Sequence, residues 1–198
     1  MARPSSRIRA LDAAATIVGR DGLRALTYES LAAETGLTKG GLLYHFPSRD
    51  ALVVAMHDHL AARWDADIAS FVDGDPAEAD AEARLAAYVR STASTPTRAE
   101  LLLLLESVDV PGLVGAWNRV IEDWAPPVPA EVDPDGEPSG DAGGDGADGA
   151  AELDAFVARL AADGLWVFEA LTGNALPAAV RERAVERIIA LGTGRPAG

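Results

Sequence analysis

Residues 27–52 read TYESLAAETGLTKGGLLYHFPSRDAL, and this stretch decides the architecture. Thr27 is an N-cap residue ahead of a short helix whose inward positions are Leu31 and Ala32. Gly36 supplies a tight turn with Leu37 packed beneath it, and Thr38 caps a second short helix, Thr38–Phe46. Pro47 ends that helix and Ser48 caps the next. Two short helices joined by a glycine turn form a helix-turn-helix, whose second member can enter the DNA major groove. The stretch therefore predicts a DNA-binding head.

Outward from it, the helical period continues. Helix 1 starts near Ser5-Ser6, is expected to bury Ile8, Leu11, Ala15 and Val18, and stops near Asp21-Gly22. Helix 4 is expected from Arg49 to Val72, with Leu52, Met56, Leu60, Trp64, Ile68 and Phe71 down one side. Asp75-Pro76-Ala77-Glu78 reads as a cap, a first-turn proline and a capping-box Glu that open helix 5, with Leu85, Tyr88 and Val89 inward. Thr97 and Glu100 read as a second capping box before Leu101–Leu105, whose apolar residues on every side predict a helix surrounded by protein. Pro111 opens helix 7, with Leu113, Val114, Trp117, Val120, Ile121 and Trp124 in period. Helix 8 is expected over about 150–171, its stripe being Leu153, Val157, Leu160, Gly164, Val167 or Phe168, and Leu171. Gly164 either lets a partner helix come close or kinks helix 8. Helix 9 starts at Pro177 and carries Val180, Ala184, Ile188 and Leu191. No segment alternates with a period of two, so the fold class is all-α with about nine helices.

Between helices 7 and 8, residues 126–149 hold five Pro, six Gly and seven acidic residues with no basic one. Such a composition buries too little apolar area to fold and predicts a disordered acidic loop. The expected division is a DNA-binding domain over 1–48 and a second domain over 49–198.

Charge follows that division. The net charge is −14, yet residues 1–49 carry +3 and residues 50–198 carry −17. Screening confines phosphate attraction to about 8–10 Å, so a mildly basic end can bind DNA while an acidic body resists non-specific contact. The longest aliphatic run, Leu101–Leu105, is far short of the ~20 residues of a membrane span. With no apolar leader at the N-terminus and no cysteine, a cytoplasmic protein without disulfides or thiolate metal sites is expected.

The residues Leu26-Thr27, Leu31-Ala32, Gly36-Leu37-Thr38, Gly40, Leu42, His45-Phe46-Pro47-Ser48 and Leu52 resemble the DNA-binding domain of the tetracycline-repressor (TetR) family of bacterial transcriptional regulators. The resemblance covers roughly residues 7–54. It implies a homodimer in which each head reads a half-site of double-stranded operator DNA. The body would hold a pocket for a small-molecule effector, and two helices of each chain would build a four-helix dimer bundle. Here those would be helices 8 and 9, about residues 150–192. Binding of the effector would release the DNA. Three positions depart from the family pattern: Gly41 where Thr, Ser or Ala is common, Leu43 where Tyr is usual, and Arg49 in place of Lys. Arg49 keeps the charge and adds a forked donor for phosphate.

At the DNA, Lys39 is the only lysine of the chain and can donate to guanine O6 and N7. Gly40 and Gly41 permit close approach of backbone to DNA and weaken the helix that carries them. Tyr44 can reach phosphate or a thymine methyl, and His45 is expected to brace the helix and touch phosphate. Thr27 and Thr38 can cap their helices while their hydroxyls and helix dipoles favour phosphate. The DNA-binding candidates are thus Thr27, Thr38, Lys39, Gly40, Gly41, Tyr44, His45 and Arg49.

All four tryptophans lie beyond the head. Trp64, Phe71, Tyr88, Trp117, Ile121 and Trp166 are the candidates for an aromatic effector pocket; each alone reads first as ordinary core, and only their clustering on helices 4, 5, 7 and 8 carries the pocket reading. Enzyme signatures are missing: no phosphate-binding loop, no nucleophile elbow, and His57 and His59 two apart on helix 4, on different faces. No catalytic residue, cofactor or metal is assigned. The reading is a ligand-responsive DNA-binding regulator. The alternative is a protein-interaction module that keeps the helix-turn-helix as scaffold, which Gly41, Leu43 and the modest +3 charge favour.

Overall fold

A computed structural model describes residues 5–94, 98–107, 113–129, 145–173 and 175–195, without the side chains of residues 94 and 145–148. Among the described residues there are nine α-helices and no strand, as the period predicts. They are α1 (Ser6–Asp21), α2 (Tyr28–Thr35), α3 (Lys39–His45), α4 (Arg49–Ala69), α5 (Ala81–Ser94), α6 (Arg98–Ser107), α7 (Gly115–Trp124), α8 (Asp145–Thr172) and α9 (Ala178–Gly192). None of these helices is long and apolar enough to cross a membrane. The helices fall into two compact units. The first runs to Trp64 and adds α6 and the start of α7 to Val120; the second takes the remainder. The expected boundary after residue 48 falls within the first unit, at the start of α4.

In the first unit α1 packs against α2, α3, α6 and a 3-10 turn at Leu23–Ala25. Ser5 caps it, its hydroxyl accepting from the Ile8 N–H at 3.3 Å. The buried face is Ala10, Leu11, Ala14, Ile17 and Val18, so two expected core positions are corrected. Ile8 is exposed and Ala15 only half-buried. A helix covered from more than one side buries a wider arc than one stripe, and the small Ala10 and Ala14 suit the closest approaches. The leucine run of α6 is also corrected: Leu101 and Leu103 are buried, but Leu105 is 59% exposed, so α6 has a solvent side. The capping residue Thr97 and the helix-opening Pro111 lie outside the described residues.

Helix α4 buries Leu52, Met56, Leu60 and Ile68, with Trp64 and Phe71 half-buried. It ends at Ala69, not Val72, because the N–H groups of Phe71 and Val72 bond three residues back, to Ile68 and Ala69, in a tighter turn.

In the second unit the Asp75 cap opens a separate 3-10 turn, Pro76–Glu78. Helix α5 begins afresh at Asp80, whose carboxylate accepts from the Ala83 N–H at 2.8 Å. Leu85, Tyr88 and Val89 are buried as expected. Helix α8 starts at Asp145, so the last residues of the expected loop 126–149 are helical. Residues 126–129 are non-helical and the remainder of that loop lies outside the described residues. The helix passes Gly164 unbroken, so it is not divided into two shorter helices there. Ala158, Ala162 and Ala170 make its buried side, while Leu153, Val157, Leu160, Phe168 and Leu171 face outward.

Two of the contacts that join α8, α9 and α5 stand out by their geometry. Glu169 Oε1 accepts from the Leu176 N–H at 2.8 Å and from Arg181 Nη2 at 2.7 Å. Burial pushes this carboxyl's pKa up, and the Arg181 and Leu176 donors outweigh it, so the net shift is downward. At the other end, a Cβ built on Gly192 would stand 2.5 Å from Leu85 Cδ2 and 2.7 Å from Ala158 Cβ. Gly192→Ala should therefore lower stability: overpacking costs about 1–3 kcal/mol, more than the ~1 kcal/mol or less that alanine's helix propensity returns. The urea midpoint of the variant against the parent checks this.

Candidate nucleic-acid interface

Helix α3 has seven residues and two glycines in its first turn, too little to persist as a helix by itself. Its surroundings hold it. Thr38 accepts from the Gly41 N–H at 3.1 Å, closing the N-terminus. Leu42 and Phe46 are fully buried on the inner side. Gly36 ends α2 with φ 71°, a left-handed conformation that L side chains rarely adopt, and its N–H returns to the Ala32 carbonyl at 2.9 Å.

Polar ties then join this corner to α1 and α2. His45 Nε2 and the Ser6 hydroxyl lie 2.8 Å apart. The Tyr28 hydroxyl donates to the Phe46 carbonyl, and burial pushes its pKa up, which keeps the donor protonated. Arg9 donates to the Thr35 carbonyl at 3.1 Å, and the Arg7 guanidinium lies 5.6 Å from the Phe46 ring centre. His45 therefore braces the helix, the first of the two roles its position suggests.

The outer side carries Lys39, Gly40, Leu43 and Tyr44, all exposed, with Tyr44 at 85%. A Cβ on Gly40 would meet nothing, whereas one on Gly41 would lie 3.2 Å from the Thr38 hydroxyl. Thr27 is exposed and its hydroxyl accepts from the Ser30 N–H at 3.0 Å; Ser30 reciprocates at the Thr27 N–H. Arg49 is exposed and donates to the Leu23 carbonyl at 3.2 Å. Thr27, Arg49 and Arg24 line one open cleft at the N-termini of α2 and α4, where helix dipoles favour an anion.

Glu29 lines the same cleft and forms an ion pair with Lys39. The Lys39 hydrogen bond holds the Glu29 carboxyl below the usual carboxylate range. The sequence reading missed Glu29 and Arg24. Glu29 sits in the first turn of α2, where an acidic residue reads simply as a dipole partner, ten residues from the lysine it meets.

The six candidates for an effector pocket divide between the units. In the first, Trp64 and Trp117 pack with ring centres 6.1 Å apart. Trp117 is buried and donates its indole N–H to His57 Nδ1 at 2.8 Å. His57 is buried too, and burial pushes its pKa down, which keeps it neutral and able to accept. It stands four residues after Val53 and seven before Trp64, on the inner stripe of α4, a spacing that could have revealed it. His59 instead meets Asp12 at 2.8 Å. In the second unit Phe71, Ile121 and Trp166 are half-buried. Tyr88 is buried and donates to Asp163 Oδ1 at 2.6 Å.

Known proteins share this fold. A family model described as bacterial regulatory proteins, tetR family, matches residues 10–56. One described as tetracyclin repressor-like, C-terminal domain, matches residues 142–193. No curated protein sequence matches the chain. A transcriptional regulator (RHA1_ro04179) from Rhodococcus sp. Rha1 has a similar fold, with TM-score 0.60 and 16% identity over 93% of this chain and 94% of that one. So does a TetR-family member (SCO1917) from Streptomyces coelicolor A3, with TM-score 0.58 and 24% identity over 95% and 98%. The multidrug binding protein EbrR complexed with ethidium has TM-score 0.52 and 26% identity over 96% and 99%.

Gly40 offers a direct test of the outer side as a close-approach surface. Gly40→Ala should stabilise the free protein by up to about 1 kcal/mol, since the added methyl meets nothing and favours helix. If a duplex lies against this turn, the same methyl weakens DNA binding. A raised melting temperature with unchanged DNA affinity would place the duplex elsewhere.

Proposed function

Because the chain belongs to the tetracycline-repressor family of bacterial transcriptional regulators, we propose that it is a homodimeric repressor that a small molecule releases from its operator. The observation that carries the reading is a short helix braced from within by Leu42, Phe46 and His45 and turned outward with Lys39, Gly40 and Tyr44. Lys39 and Tyr44 contact base edges in the major groove, and the backbone at Gly40 and Gly41 approaches the duplex. Thr27, Thr38 and Arg49, joined by Arg24, take phosphates at helix N-termini. The charge contrast of +3 against −17 supports contact through this end only.

The dimer surface is the outward face of α8 and α9. Leu153, Val157, Leu160, Phe168 and Leu171 on α8, with Val180 and Leu191 on α9, are large apolar side chains left exposed by a single chain. A surface of this kind marks an interaction site, and a second copy covers it self-complementarily. Two heads carried by such a dimer would meet half-sites about 34–36 Å apart or a multiple of that. The effector is an aromatic molecule: the packed Trp64–Trp117 pair supports this, as does likeness to a protein complexed with ethidium. Of the second unit's candidates, Phe71, Ile121 and Trp166 are half-buried, whereas the Tyr88 hydroxyl is committed to Asp163. The exposed Leu43 favours a second reading, a protein-docking head without specific DNA contacts.

The test is binding to the promoter DNA beside the protein's own gene. Lys39→Ala should weaken operator binding about tenfold or more while leaving random duplex less affected, as titrations at fixed salt would register. Equal losses on both would reduce Lys39 to a phosphate contact, and no duplex retained by the parent in dilute buffer would favour the docking reading. For the dimer, Leu160→Glu should give a monomer at micromolar concentration in sedimentation and lose operator affinity with it. A dimer that survives the substitution would move the interface off α8.

A further inference from the structure

Lys39 and Glu29 form an ion pair across α2 and α3 that the fold does not need. Their side chains are 59% and 69% exposed, and a pair so exposed adds little to stability. Yet it joins the chain's one lysine, at the first residue of the outward helix, to a carboxylate in the first turn of the neighbouring helix. A carboxylate there is a liability for a surface that meets phosphates unless the duplex offers it a donor.

The edge of a base pair supplies one. In the major groove a G·C pair shows the N7 and O6 acceptors of guanine beside the amino donor of cytosine N4. O6 and N4 stand about 2.9 Å apart, the length of the hydrogen bond that joins them. The Lys39 ammonium and Glu29 carboxylate are likewise in hydrogen-bond contact, with the polarity reversed. Laid against the G·C edge, the intact pair meets an acceptor with its donor and a donor with its acceptor. An A·T pair also sets an acceptor beside its donor, but that donor lies between two acceptors: whichever one the ammonium takes, the carboxylate comes beside the other, and the ammonium lacks the second acceptor that guanine offers.

We propose that Glu29 and Lys39 together read one G·C base pair per half-site, Lys39 on guanine O6 and N7 and Glu29 accepting from cytosine N4. This rests on the reading above that α3 enters the major groove. Glu29 thereby becomes a specificity-determining residue, its acceptor oxygen left unmatched where the cytosine amino group is missing.

Selection from a random duplex pool, with the full chain and its Glu29→Ala and Glu29→Gln variants, tests it. The parent should enrich sites with one fixed G·C pair in each half. Glu29→Ala should lose about tenfold of the preference at that pair and leave the other positions unchanged. Glu29→Gln, which keeps an acceptor oxygen without the charge, should retain most of the preference. Melting curves confirm that each variant is folded. If the parent and Glu29→Ala enrich the same sites with the same preference, this proposal is overturned while the repressor reading stands. The same holds if alanine and glutamine abolish it equally, since charge alone would then be responsible. If no duplex is enriched even at low salt, the repressor reading falls and this one with it.

Discussion

Everything at the DNA-facing end depends on anchoring a helix too short to stand alone. Two buried side chains, Leu42 and Phe46, each contribute about 1.5–3 kcal/mol of burial, which offsets the cost of nucleating seven residues that begin with two glycines. The Phe46 carbonyl and the His45 ring then tie the end of α3 to Tyr28 and Ser6. Because the Thr38 cap and the inner side secure the helix, the exposed positions 39, 40, 43 and 44 take no part in the core.

What the sequence revealed about the fold, and what it concealed, divides along local and long-range lines. Ser5, Thr27, Thr38 and Ser48 cap their helices as read, since a cap is decided within three residues. Gly36 turns as read for the same reason. Ile8 and Leu105 were misplaced because periodicity gives a stripe without saying which neighbours cover it. The start of α5 shifted because two aspartates, Asp75 and Asp80, offer caps in succession and only one opens a long helix. At the site, Lys39 was readable as a lone cation on a short helix, while Glu29 was not. Its meaning comes from a partner on another helix. His57 pairs with Trp117, sixty residues away, a partnership that local spacing does not reveal.

In helix α8 the bulkiest apolar residues are not the ones turned inward. Alanines occupy the side of α8 that faces its own unit, and the larger leucines point away. Small residues inside allow α5, α8 and α9 to approach until Gly192 has no room for a methyl. The apolar area left on the outer side is then of the kind that a second chain covers, in a body whose acidic charge opposes indiscriminate association.

The chain contains a single lysine, every other permanently cationic side chain being arginine, and that lysine stands exposed at the start of α3. Its ammonium is thus the molecule's lone side-chain amine. Acetyl transfer to that nitrogen would erase its charge and release Glu29, altering the outward side of α3. A duplex lying against that side would in turn shield the amine, so the extent of acetylation would report its occupancy.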